Sequence, residues 1–340
     1  MRSVCAVCVL RPTLWCQEKE QTMKTIWLGV VGAVLLSATA HAAPPAGASD
    51  VAKAASAYRH ADYAQALADF RLGAMKGNAI AEFNLGKMYY QGQGVPRDYA
   101  KAFKWYRLAA LQGNAGAELR LGVMYGLGQG VPQDYAKMFK WSRLAALQGD
   151  AYAELGLGIM YHQGQVVPQD YAKALKWSRL AALQGNADAE LDLGVMYHQG
   201  QGVPQDYAKA FKWIRLAALQ GNAGAELVLS IMYHQGQGIP QDYAKAFKWT
   251  RLAALQGNAD AELGLGIMYD QGQGVPQDYA AAYKWLLIAK TGMPATDTRY
   301  ARVTKSVRLV ASKMPPAQIA QARQEASAWF AAHEPVGQVP

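Results

Sequence analysis

Residues 98–133 read DYAKAFKWYRLAALQGNAGAELRLGVMYGLGQGVPQ, and close copies of these 36 residues return along most of the chain. The clearest marks are Pro96, Pro132, Pro168, Pro204, Pro240 and Pro276. Each lies 36 residues after the last and is followed two places on by Asp-Tyr-Ala. A fixed period of this length is one small structural unit used many times. Such a unit cannot hide its own apolar face, so the copies must stack on one another.

Local signals make the unit a helical hairpin. Asp98 opens a first helix: an acid suits the positive end of the helix dipole, and Pro96 suits the entry. Gln112 is its expected end, with Gly113 stopping it in the left-handed region. Asn114 caps a second helix, expected from Ala115 to about Tyr125. Gly128-Gln129-Gly130-Val131-Pro132 then turns the chain into the next copy. At about 100° per residue, Tyr99, Ala102, Phe103, Trp105, Ala109 and Ala110 share one arc of the first helix, opposite Lys101, Lys104 and Arg107. The second helix is apolar on two sides, with Ala117, Leu121, Met124 and Tyr125 on one and Leu119 and Val123 on the other. A helix of that kind is sandwiched between neighbours. Ala102, Ala109, Ala117 and Gly122 are small enough to let helix axes approach closely, and the large rings fill the space around them.

The unit resembles the Sel-one-like repeat, a 36-residue relative of the tetratricopeptide repeat. The resemblance rests on Ala102-x-x-Trp105, Ala109-Ala110-x-x-Gly113, Ala117-x-x-x-Leu121-Gly122-x-x-Tyr125 and the Gly128-x-Gly130-Val131 turn. It extends over residues 62–290, from a looser first copy carrying Phe70 and Gly77 to a last first helix carrying Trp285. Ser230 replaces the second-helix glycine, Val166 replaces a turn glycine, and Gly292-Met293-Pro294 breaks the last hairpin. The resemblance implies an all-α fold, a right-handed α/α superhelical solenoid of 36-residue helical hairpins.

The ends depart from the repeat, as terminal copies should. Residues 50–61 read as an N-terminal capping helix. Residues 291–333 read as C-terminal capping helices, one from Thr296 to about Lys313 and one from Pro316 to about Ala332, with Trp329 and Phe330 docking on the last repeat. Residues 43–48 and 334–340 read as disordered tails. Residues 1–42 read as a leader: Met23-Lys24 opens a basic start, Ile26 to Leu36 is an apolar run, and Ala40-His41-Ala42 supplies the small residues of a cleavage site. The apolar run is short for a bilayer span, so no stable membrane insertion is expected after cleavage. Cys5, Cys8 and Cys16 all precede the cut, leaving the mature chain without disulfides. The chain is 51% apolar and 17% charged, which excludes a disordered polyelectrolyte. Its net charge is +9; losing four bases and two acids with the leader leaves +7. That excess is compatible with an anionic partner without requiring one.

Catalytic patterns are missing. No Gly-x-Ser-x-Gly, Ser-x-x-Lys or His-Glu-x-x-His occurs, and Ser142 and Ser178 recur on the first helix without a base. The Gly-Gln-Gly turns lack the lysine and strand of a phosphate loop. His162, His198 and His234 share one repeat position, but stacked helices lie about 10 Å apart and no second ligand accompanies each histidine. They read as solvent-facing residues at a helix end, with no metal and no cofactor. Some extracellular members of the family are linked to β-lactam binding, but those are cysteine-rich, and the expected mature chain lacks both the cysteines and the serine-lysine pair.

Two features remain as candidate binding surfaces. Lys101-Lys104-Arg107 returns as Lys137-Lys140-Arg143, Lys173-Lys176-Arg179, Lys209-Lys212-Arg215 and Lys245-Lys248-Arg251. This is either a solvated face paired with acids such as Asp98 and Glu118, or a band for an anionic polymer or acidic segment. Nucleic acid is not expected as a partner for an exported chain. Second, three positions change type between copies. They are Ile80, Gly116, Tyr152, Asp188, Gly224, Asp260; then Asn84, Arg120, Gly156, Asp192, Val228, Gly264; then Tyr106, Ser142, Ser178, Ile214, Thr250, Leu286. The first two lie four residues apart on one helix face. These columns are either a recognition strip, with Tyr152, Asp188, Asp260, Arg120 and Asp192 as candidate partner-binding residues, or drift after duplication. The resemblance implies a non-enzymatic scaffold for a protein partner in the bacterial periplasm or outside the cell, with polyanion binding as the alternative.

Overall fold

The computed structural model describes residues 48–333. Residues 1–47, which include the expected leader and its three cysteines, and residues 334–340, expected as a tail, lie outside the described residues. All regular structure among the described residues is helical. A lone α1 (Ala48–Arg59) precedes α2 (Tyr63–Met75) and α3 (Ala79–Gln91). Then come α4 (Tyr99–Leu111), α5 (Ala115–Leu127), α6 (Tyr135–Leu147), α7 (Ala151–Gln163), α8 (Tyr171–Leu183) and α9 (Ala187–Gln199). The series continues with α10 (Tyr207–Leu219), α11 (Ala223–Gln235), α12 (Tyr243–Leu255), α13 (Ala259–Gln271) and α14 (Tyr279–Thr291). α15 (Tyr300–Ala311) and α16 (Pro316–His333) end it. Two compact units divide between Ala189 and Glu190.

The caps follow from the repeated residues. Asp98 Oδ1 accepts the N–H of Lys101 at 2.9 Å, and Asp134, Asp170, Asp206 and Asp242 do the same for their helices. Asn114 accepts the N–H of Ala117 to start α5. Gly113 stops α4 at φ +81°, as its sequence requires. The second helices run to residue 127 rather than about Tyr125, because the left-handed stop is Gly128, at φ +68°.

The third variable column is not a surface. Tyr106, Ser142, Ser178, Ile214, Thr250 and Leu286 are all at most 3% exposed. Each faces the residue twenty places earlier on a second helix. A Cβ added to Gly86 would sit 2.6 Å from the Tyr106 ring, one on Gly194 2.5 Å from Ile214, and one on Gly266 2.7 Å from Leu286. Gly122 and Gly158 meet the hydroxyls of Ser142 and Ser178 in the same way. Where Ser230 replaces the glycine, Thr250 stands opposite and the two hydroxyls bond. Variation in this column is the packing partner changing against an empty site.

Polar bonds tie successive copies. Gln112, at the end of α4, donates its amide to the Glu82 carboxylate of α3 at 2.6 Å. Gln148–Glu118, Gln184–Glu154, Gln220–Glu190 and Gln256–Glu226 repeat it at 2.7–2.8 Å. These carboxylates are 4% exposed, so Glu118 is an internal acceptor and not a partner of the lysine face. Burial pushes all five carboxyls above their ordinary value, partly offset by the glutamine bond.

The two ends are sealed differently. The Tyr58 hydroxyl of α1 lies within hydrogen-bonding reach of the side-chain oxygens of Gln93 and Gln91, and burial pushes that hydroxyl up to about 12. At the other end α15 starts at Tyr300, four residues later than Thr296, because Asp297 folds onto Arg299 in a tight turn. Val303, Val307 and Val310 bury against Leu286 and its neighbours. Trp329 and Phe330 pack near Trp285, with the two indole centroids 6.2 Å apart.

Gly194→Ala should cost about 1–3 kcal/mol, since the added methyl meets the Ile214 side chain and backbone at once. Urea denaturation checks this; an unchanged midpoint would mean the helices are not in contact there. Glu118→Gln tests the ladder. A carboxyl raised in the fold contributes fully below its unfolded value, and the contribution is lost as pH rises through the folded value. Glu118→Gln should therefore melt at or above wild type at pH ~7, with the gap closing toward pH ~5, near the carboxylate range. Paired thermal melts at the two pH values decide it.

Candidate functional site

All fifteen cations of the repeated lysine-arginine face are exposed, but they are not equivalent. The first lysine of each copy is tied down. Lys101 Nζ lies 3.0 Å from Asp98 and 5.6 Å from the centre of the Tyr89 ring. Lys137, Lys173, Lys209 and Lys245 each pair with their own helix-opening aspartate and cover Tyr125, Tyr161, Tyr197 and Tyr233. Backbone and lysine hydrogen bonds hold these aspartates below the ordinary carboxylate value. Lys104, Lys140, Lys212, Lys248, Arg107, Arg143, Arg179, Arg215 and Arg251 make no ion pair among the described residues, and Lys176 lies over Trp177.

The second helices carry the other candidates. Asp188 is exposed and Tyr152 half-buried, with Asp188 close enough to raise the Tyr152 hydroxyl's pKa, after burial. Asp192 is half-buried and already partnered. Asp260 pairs with Arg299 of the C-terminal cap, so that carboxylate serves the end of the fold. Arg120 is 4% exposed, against the expectation that variable positions face solvent. Its guanidinium lies 5.9 Å from the Tyr90 ring centre, and its Nε makes no hydrogen bond.

Lys87 and Asp150 escaped the sequence reading. Lys87 is half-buried on α3, 4.8 Å from the Tyr58 ring centre, where the other copies hold Val123, Ile159, Val195, Ile231 and Ile267. Asp150 caps α7, where the others hold Asn78, Asn114, Asn186, Asn222 and Asn258. Both were visible as single odd residues, a lysine among valines and isoleucines and an aspartate among asparagines.

The histidines are not solvent-facing. The imidazoles of His198 and His234 each bond a turn glutamine of the next copy, Gln237 at 2.8 Å and Gln273 at 3.2 Å. Both, with His162, also stand edge-on to Tyr207, Tyr243 and Tyr171, with centroids 5.0–5.2 Å apart. Tyr90 reaches Gln129 from the same position. The position is a joint between copies. An open cleft of about 500 Å³ lies against α14, lined by Tyr269, Val275, Pro276, Asp278, Tyr279 and Gln318. Its one carboxylate, Asp278, caps α14 through the N–H of Ala281, which leaves no acid–base pair.

The family described as Sel1 repeat matches six consecutive segments, residues 79–114, 115–150, 151–186, 187–222, 223–258 and 259–291. The chain belongs to the Sel1 repeat family. A Sel1 repeat protein from Oxalobacter formigenes is 31% identical, with 73% of this chain and 98% of that one covered and a TM-score of 0.67. A protective antigen of uropathogenic Escherichia coli strains with the same repeat fold is 25% identical over 86% of this chain and 88% of that one, at a TM-score of 0.47. No curated protein matches the chain. Sel1 repeat proteins generally act as non-enzymatic scaffolds that bind other proteins. No described helix is long and apolar enough to cross a membrane.

The tied and untied lysines should behave differently on substitution. Lys137→Gln, which loses both Asp134 and the Tyr125 ring, should lower the melting temperature. Lys140→Gln, which loses neither, should leave it unchanged. Equal effects in calorimetry would remove the distinction.

Proposed function

We propose that this Sel1 repeat protein is a non-enzymatic scaffold that binds a protein partner in the bacterial periplasm or outside the cell. The observation that carries the reading is the division of labour within each copy. Caps, the glycine contact and the glutamate–glutamine bond are repeated almost unchanged, while the second-helix positions of Ile80, Tyr152 and Asp188 vary and reach solvent. A rigid frame with a varied surface lowers the ordering cost of binding. Export is supported by the leader, with its basic start, apolar run and Ala40-His41-Ala42.

Affinity capture from periplasmic extract, with mass spectrometry, tests the scaffold reading. The expected result is a retained protein that Tyr152→Ala combined with Asp188→Ala releases. Retention indifferent to both substitutions would reject this surface. The mature N-terminus is expected at Ala43, checked by intact mass of the exported protein.

A second reading has its own observation, the exposed and unpaired second lysine and arginine of each copy. A polyanion held by them would lose affinity steeply with salt, because charges separated by more than about 8 Å are screened at physiological ionic strength. Lys140→Gln, Arg143→Gln, Lys176→Gln and Arg179→Gln together should abolish binding to an anionic polysaccharide. Unchanged binding would end this reading.

A further inference from the structure

Among the described residues fourteen large apolar side chains are exposed, and ten of them belong to two positions near the end of the first helices. Met75, Leu111, Leu147, Leu183, Leu219 and Leu255 hold one position, between 39% and 83% exposed. Three residues earlier, on the same helix face, stand Leu72, Leu108, Leu180 and Leu216. The space beside them is open: a Cβ added to Gly113, Gly149 or Gly185, two residues past each leucine, would meet nothing within 4 Å. The helix has no need of a leucine there, because glutamine, glutamate or lysine forms helix about as well. Copying alone does not explain the row, since the divergent first copy, RLGAMKGN at residues 71–78, keeps both apolar residues.

The second lysine and the arginine of each copy lie on that face too. Lys104 and Leu108 are four apart, as are Arg107 and Leu111, and α6 and α8 repeat this with Lys140, Arg143, Lys176 and Arg179. Each of these helices shows solvent a patch that is cationic toward its start and apolar toward its end.

The last copy shows what covers such a patch. On α14 the equivalent residues are Lys284, Leu287, Ile288 and Thr291, and α16 packs against this helix. Lys284 pairs with Glu325 of α16 at 3.4 Å. Ile288 is fully buried, in one cluster with Ala326, Trp329 and Phe330 of α16. Leu287, where the other copies carry arginine, packs against the same cluster. Helix α16 is amphipathic: Ile319, Ala322, Ala326 and Trp329 pack inward at helical spacing, and Glu325 stays exposed.

We propose that the exposed faces of α4, α6 and α8 dock an acidic amphipathic helix of a partner protein, as α14 docks α16. The apolar side chains of that helix cover the leucines, and its carboxylates pair with the second lysine and the arginine. These faces carry two cations where α14 carries one, so the partner helix holds more acid than α16. The nature of the partner rests on the scaffold reading above. The contact is placed on the first helices, whereas Tyr152 and Asp188 lie on the second.

The test uses the full mature chain and two triple variants at exposed positions. One combines Leu111→Gln, Leu147→Gln and Leu183→Gln; the other combines Lys104→Gln, Lys140→Gln and Lys176→Gln. Both should melt as wild type does. The probe is a synthetic helical peptide with leucines along one face and glutamates flanking them, followed by calorimetry. Wild type should bind it, and each triple variant should bind about tenfold or more weakly. The proposal falls if the leucine variant binds like wild type. It falls equally if the peptide with serine for leucine binds as well as the original, which would leave only the polyanion reading. Binding of wild type to vesicles of phosphatidylcholine and phosphatidylglycerol, with the peptide unbound, would overturn it in favour of a lipid surface. Self-association in sedimentation that the leucine variant abolishes, with the peptide unbound, would overturn it in favour of a second copy. A partner captured from periplasmic extract, kept by the leucine variant and released by Tyr152→Ala with Asp188→Ala, would overturn docking on the first helices and leave the scaffold reading standing. Peptide binding lost in both triple variants, with no partner captured, would support the docking face while the scaffold reading failed.

Discussion

Two helices can lie this close only where one of them has no side chain at the crossing. The pairs Gly86–Tyr106, Gly122–Ser142, Gly158–Ser178, Gly194–Ile214 and Gly266–Leu286 all obey that condition, always twenty residues apart. Because one side is empty, the other is tolerant, and a tyrosine, a serine, an isoleucine or a leucine can each fill the same gap. The exception supports the rule. Ser230 carries a small hydroxyl, and its partner is Thr250, which can bond it rather than merely touch it. Close packing of this kind leaves no room for a one-residue slip along either helix.

Polar groups then tie each copy to the next. The glutamate in the first turn of each second helix sits where the helix dipole favours an acid, yet it is nearly dry, so its glutamine donor is indispensable. The turn glutamines do the reciprocal task, taking Tyr90, His198 or His234 from the copy before. The helix-opening aspartates add a third tie by fixing the first lysine over a tyrosine ring of the preceding hairpin. The repeated face is therefore partly structural, and its chemically available charge lies in the second lysine and the arginine.

The hairpin was readable because its signals are local. A proline, an aspartate or asparagine cap and a left-handed glycine act within a few residues, and the period of 36 states them repeatedly. Side-chain surroundings were not readable, because they depend on residues twenty to forty places away. Variation misled twice. Tyr106 and its column change type while buried, since the constraint is on the glycine opposite. Arg120 changes type and is buried too, beside the Tyr90 ring of the copy before. Glu118 was assigned to the lysines by charge, whereas Gln148 holds it by geometry.

An array of identical joints has an inherent hazard, since the last copy offers the next joint to any newcomer. In this chain the final position of the Tyr90–His198–His234 series is Asp270, and it takes Lys313 of the cap at 2.6 Å instead of a turn glutamine. Asp260 is likewise occupied by Arg299, and the Trp285 surface by Trp329. The cap thereby neutralises those carboxylates and covers that indole. Helices α15 and α16 thus occupy, on the last copy, groups at positions that earlier copies use to join their neighbours.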